Sequence, residues 1–208
     1  MNVLLKFSKA VDWLNSQIGK HVIWLILAST VISGVNAIVR KVGGSDLIAK
    51  FFHVGSNAFL EVQWYFFAAS FLMAAAYTLL QGEHVRIDVL SSHTSKRTQM
   101  WLDVVGFACF LTPVCVAILW YGVPFAWKGF MSGEMSENAG GLVRWPVYAM
   151  IPLGFTLLLL QGWSELIKRL AFLQGLIDDP TAKKAEKTAE EELAEAIARL
   201  AEEKSKAA

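Results

Sequence analysis

The side chains best suited to holding a haem iron or a metal ion in this 208-residue sequence are His21, His53, His84 and His93, with Cys109 and Cys115. A haem carried inside a membrane needs axial histidines facing each other from two helices at bilayer depth. His21 instead opens an apolar run, and the other three lie in the polar segments between runs. The two cysteines are six residues apart, about 240° round a helix, which prevents a local disulfide or metal pair. Phosphate-binding glycine loops, nucleophile elbows, HExxH and CxxC are all missing. The expectation is a protein that is not an enzyme and holds no cofactor of its own.

Ion and proton paths through a membrane are built from charged side chains at mid-bilayer, and the centres of the apolar runs have none. Matched Gly/Pro-broken half-helices, the pointer to a transporter's own binding site, are also absent. Two uncharged polar residues stand out. Asn36 lies near the end of the first run and Gln161 inside the fourth, where each is expected to hydrogen-bond a neighbouring helix.

The elements that would position these residues are set by composition. The chain is 55% hydrophobic and 18% charged, with a mean hydropathy of +0.44. Four stretches, 21–39, 62–82, 104–127 and 145–164, contain no Lys, Arg, Asp or Glu. A helix needs about 20 such residues to cross about 30 Å of hydrocarbon. The expected fold is therefore an all-α integral membrane protein with spans at about 21–39, 62–82, 104–127 and 145–166, within a four-helix domain of residues 21–175. A basic stripe with interleaved aromatics is missing, so no nucleic-acid partner is expected. The run ending Val35-Asn36-Ala37 loosely resembles a signal cleavage site, but its length and the patterned segment before it favour a retained span.

Residues 1–20 read as an amphipathic helix, with Leu4, Phe7, Val11, Leu14 and Ile18 on one face and Lys6, Lys9, Asp12, Ser16 and Lys20 on the other. Such a helix is expected to lie flat on the bilayer, with Trp13 as an anchor, or to pack on a partner protein. Counting Lys and Arg puts 14 on the side of the termini and 5 on the other, so both termini are expected in the cytoplasm. Ser29, Ser33 and Ala37 form one small-residue stripe for helix contact, and Ser70 with Ala74 another. Pro113 is expected to kink the third span, whereas Pro146 falls in the tolerant first turn of the fourth. Glu165 can pair with Lys168 and Arg169. Residues 178–208 carry 6 basic and 9 acidic side chains and read as a charged helical tail starting at Asp179-Pro180.

The most specific stretch runs from Glu61-Val62-Gln63-Trp64-Tyr65, through an Ala-rich span ending Tyr77-Thr78-Leu79-Leu80, to Glu83-His84-Val85-Arg86-Ile87-Asp88-Val89-Leu90. It resembles the small permease (DctQ-type) subunit of tripartite ATP-independent periplasmic (TRAP) transporters. The likeness extends over about residues 20–175, including Asn36 and Arg40 leaving the first span and Trp145-Pro146 opening the fourth. It implies an unfused small membrane subunit that braces a large permease subunit. Sodium ions and substrate, commonly an organic acid such as a dicarboxylate or keto acid, would bind in that large subunit. A soluble periplasmic substrate-binding protein would deliver the substrate, and the bacterial inner membrane would be the location. The charged tail is outside the resemblance.

Asn36, Arg40, Glu61, Gln63, Trp64, His84, Arg86 and Asp88 are the expected contacts to the partner subunit or to phospholipid. Arg40 and Glu61 are expected to pair or to touch the partner, and Arg86 and Asp88 to meet headgroups or the large subunit from an interfacial segment. Trp127, Lys128, Glu134 and Glu137, beside the flexible Gly140-Gly141, are the candidates for docking the binding protein. The rival reading is a membrane anchor of a haem/quinone redox complex, which predicts a Soret band or bound quinone. A third is a membrane adaptor whose acidic tail is the working part.

Overall fold

The computed structural model describes residues 1–43, 56–82 and 94–180, without the side chains of residues 39, 40, 42 and 56. It is all-helical, and four of its helical stretches are long and apolar enough to cross a membrane. The helices are α1 (Asn2–Gly43), α2 (Ser56–Gln81), α3 (Lys96–Val105), α4 (Thr112–Ser132) and α5 (Trp145–Leu173), with a π-helical turn, Gly106–Leu111, joining α3 to α4. The start of α1 and the end of α5 lie at one end of the bundle, called here the terminal end. The α4–α5 loop lies at the far end.

Local chemistry accounts for the helix boundaries. Ser95 caps α3, its Oγ accepting from the Thr98 N–H at 3.3 Å. Gly133, at φ 59°, ends α4 in the left-handed conformation that only glycine adopts cheaply. Pro146 sits in the first turn of α5, where its missing N–H costs nothing. Gly175 closes α5 in a Schellman motif, with Leu176 N–H bonding Ala171 O at 3.0 Å and Gly175 N–H bonding Phe172 O at 2.8 Å.

The disruption expected at Pro113 takes the form of the π turn before it. The Thr112 N–H reaches back five residues to Phe107 O, and Thr112 Oγ1 donates to the same carbonyl at 2.8 Å. A widened turn gives the proline ring room at the second position of α4 and leaves the helix unbroken.

Helix α5 is the hub. It packs against every other helix, whereas α1 and α2 pack on each other and α4 finds its partner in α5. Within the α2–α5 seam Gly154 permits a close approach, since a Cβ there would lie 2.7 Å from the Leu72 carbonyl oxygen. Along α4 the buried positions are Cys115, Gly122 and Gly129, one residue per two turns, so a narrow small-residue seam faces α5. The rest of α4 looks outward, including Trp120 at 72% exposure and Tyr121 at 76%. Such a surface suits lipid or another membrane protein, because no hydrophobic force drives one apolar helix onto another inside a bilayer.

The N-terminal segment is helical, as its periodicity predicts, and two features add to that reading. First, α1 is continuous for 42 residues, so no turn separates the N-terminal segment from the first span. Second, a stripe between the two expected faces is turned inward, while Lys6, Lys9 and Lys20 stay exposed. Ser8, Val11 and Asn15 are buried against α5, while Leu4, Phe7, Trp13 and Leu14 are exposed. Helix α5 of the same chain supplies the polar partners of Ser8, Asp12 and Asn15. Of the small-residue stripe on α1, Ser29 bonds the Gln63 carbonyl at 3.1 Å, whereas Ser33 and Ala37 are exposed. Ser70 is buried, as a contact position should be.

Candidate functional site: two polar clusters

Polar side chains gather at both ends of the bundle. At the terminal end, α1 presents Ser8, Asp12 and Asn15 at spacings of four and three, and α5 answers with Gln161, Ser164, Glu165 and Lys168 on one face. Asn15 Nδ2 donates to Gln161 Oε1 at 2.8 Å, and Gln161 Nε2 donates to Asp12 Oδ1 at 2.9 Å and Glu165 Oε1 at 3.1 Å. Ser164 Oγ lies 2.7 Å from Ser8 Oγ and 2.8 Å from Asp12 Oδ1. Lys168 bridges the helices, reaching Asp12 Oδ2 at 2.9 Å and Glu165. Arg169, 3% exposed, ties in the third helix. Its Nε donates to Asp103 Oδ2 at 2.7 Å, its Nη1 to Glu165, and its guanidinium lies 4.7 Å from the centre of the Phe107 ring. The expected pairing of Glu165 with Lys168 and Arg169 is thus present, inside a larger network.

At the far end, Glu61 is 3% exposed and belongs to the first turns of α2. Its Oε1 accepts from Ser136 Oγ and from Asn138 Nδ2 at 3.0 Å, and its Oε2 accepts from the Leu142 N–H at 2.6 Å. One turn to either side, Asn57 Nδ2 donates to Ala139 O at 3.1 Å and Tyr65 Oη to Val143 O at 3.0 Å. Glu134 accepts from Arg144 Nη1 at 3.3 Å and from Tyr148 Oη at 2.9 Å.

The residues singled out by sequence fall as follows. Glu61 holds the α4–α5 loop of its own chain. Gln63 is half-buried, and Trp64, 44% exposed, meets Tyr65 edge-on at 4.5 Å. Asn36 is buried, yet its Oδ1 and the Nε2 of Gln63 have no hydrogen-bond partner among the described residues. The Arg40 side chain, His84, Arg86, Asp88 and residues 181–208 lie outside the described residues, so the Arg40–Glu61 pair does too. Trp127 is 63% exposed and stacks obliquely on Phe130, which meets Trp145 edge-on. Lys128 and Glu137 are exposed, whereas Glu134 is engaged within the loop.

Sequence reasoning passed over Ser8, Asp12, Asn15, Ser164 and Asp103 as a site. A signal existed: the polar positions of α1 and α5 share the same three-and-four spacing, so two polar stripes were available to meet. Ser136, Asn138 and Tyr148 gave no signal, being ordinary loop and interface residues until folding brings them to their partners. Among the described residues no group of three His, Cys, Asp or Glu side chains could hold a metal ion. His21 Nδ1 lies 2.7 Å from the Gln17 carbonyl of its own helix.

Fold and clusters together define a multi-pass helical membrane protein whose polar side chains hold its own helices and loop in register. The chain belongs to the family described as Tripartite ATP-independent periplasmic transporters, DctQ component, which matches residues 46–172, more than half of its length. Neither curated proteins nor solved structures give a match. The protein is thus a small membrane component of a tripartite transporter, as the Glu61–Leu90 resemblance implies.

Proposed function

We propose that this chain braces the large permease subunit of a sodium-coupled importer of an organic acid, such as a dicarboxylate or keto acid, and helps dock the periplasmic binding protein. Substrate and sodium ions bind in the large subunit. The complex sits in the bacterial inner membrane with both termini of this chain in the cytoplasm, so the terminal end faces inward and the far end outward. The single observation that carries the bracing role is the outward face of α4. Apart from its seam with α5, that helix presents large apolar side chains to its surroundings. Charged side chains are confined to the span ends, which leaves the transport path to the other subunit. Phospholipid fits the apolar groove of about 370 Å³ between Val123, Trp127 and Phe130 of α4 and Trp145, Ala149 and Pro152 of α5. Its aromatic rim resembles the belts found at headgroup depth.

The test is to tag the chain in its native host, purify it in a mild detergent and identify its companions by mass spectrometry and absorbance. A larger polytopic permease without haem is expected, and this complex should drive sodium-dependent uptake of an organic acid once the binding protein is added. Recovery with a haem signal and a soluble oxidoreductase subunit would overturn the proposal.

A further inference from the structure

We infer that Glu61 is a latch that fixes the shape of the α4–α5 loop, residues 133–144, and that the latched loop is the surface meeting the soluble binding protein. The second half rests on the docking role proposed above. Three residues on one face of α2, at positions 57, 61 and 65, pin the loop through Ala139, Leu142 with Ser136 and Asn138, and Val143. The loop's own bonds close it further: Ser136 N–H to Leu142 O and Arg144 N–H to Glu134 O, each 2.9 Å, flank the Met135–Val143 bridge. Gly141 lets the chain wrap the carboxylate, since a Cβ there would stand 2.5 Å from Ser136 Cβ and 2.8 Å from Glu61 Oε1. The described donors to Glu61 are neutral. A buried carboxylate whose hydrogen bonds come from neutral donors, with the Arg144 charge acting on it without bonding it, relies on those bonds for its place, so its position and the loop's shape are set together.

The outer side of the same loop presents Met135, 58% exposed, and the exposed Glu137. An apolar side chain beside a carboxylate suits a partner offering a basic group next to an apolar one. A loop held in shape beforehand avoids the ordering cost that a loose loop meets on association. Glu61 is therefore a positioning residue that acts on a partner it does not touch.

The experiment uses the complete three-part transporter in proteoliposomes with its binding protein titrated, together with hydrogen exchange of the complex. Glu61→Ala and Glu61→Gln should raise the binding-protein concentration for half-maximal uptake about tenfold, the scale of ordering one or two side chains on binding. The maximal rate and co-purification of the large subunit should stay unchanged, while amide exchange across 136–144 accelerates. The Gln variant fails because its amide can turn a donor toward the Leu142 N–H. Ser136→Ala, which keeps Glu61 buried, should show a smaller effect of the same kind if the Glu61 variants do not assemble. Glu137→Lys, outside the latch, should raise half-saturation without faster exchange. Unchanged exchange in the Glu61 and Ser136 variants would overturn the latch. Faster exchange in Glu61→Ala, with half-saturation unchanged in both Glu61→Ala and Glu137→Lys, would overturn the docking reading. A defect in Glu137→Lys without one in Glu61→Ala would sever the link between the two.

Discussion

Removing the guanidinium of Arg169 would leave Glu165, its side chain 8% exposed, with Lys168 and the Gln161 amide, and would remove the ion pair and ring contact that Arg169 makes to Asp103 and Phe107. Losing one partner of a buried charged pair costs about 3 to 5 kcal/mol, because the remaining charge stays desolvated. Arg169→Ala should therefore lower the melting temperature of the purified chain in detergent by many degrees. Arg169→Lys should recover little of that loss, since an ammonium cannot bond Asp103 and Glu165 in a fork while lying on the ring. Equal stability of the Lys variant and the native chain would show that charge alone matters there. Arg169 and Glu165 were legible in the sequence as an i, i+4 pair. Their partner Asp103 was not, because 66 residues separate it from Arg169 and nothing local announces the meeting.

Helices were the most legible level, since charge-free runs of the right length have few alternatives in a bilayer. What the runs could not tell was azimuth. Amphipathic reasoning turns Lys6, Lys9 and Lys20 outward, where they are exposed, but does not reveal that Ser8, Asp12 and Asn15 meet α5, because in lipid a polar group gains most from another polar group. Pro113 predicts a kink, and the π turn that absorbs it depends on Thr112 reaching back to Phe107, a choice invisible to hydropathy. Contacts between helices follow the glycines, and their tightness is graded. Gly154→Ala places a methyl 2.7 Å from a backbone carbonyl that cannot move aside, whereas Gly122→Ala meets only the Ile151 Cγ2 at 3.3 Å. The first should destabilise by about 1 to 3 kcal/mol and the second by well under 1. Thermal unfolding of the two variants side by side measures this, and equal losses would mean that the α2–α5 seam can relax.

At the scale of the whole molecule, two pinned ends hold an otherwise apolar body in shape. The network around Gln161 and Lys168 fixes α1 to α5, and Glu61 fixes α2 to the loop before α5. Both fastenings therefore involve the last hairpin, and α5 is the element against which all the others pack. That places a condition on biogenesis. The ribosome delivers α5 after the other described helices, so those helices wait in the membrane with Asp12 and Asp103 short of their α5 partners. The three earlier spans are therefore expected to stay loosely assembled until α5 inserts. A chain truncated before Trp145 should insert three helices yet be removed by membrane proteases, and supplying residues 133–180 as a separate fragment should rescue it. Pulse-chase measurement of the fragment's half-life, alone and co-expressed, checks this. The order of synthesis thus doubles as a completeness check, with the last helix acting as the keystone that certifies the rest.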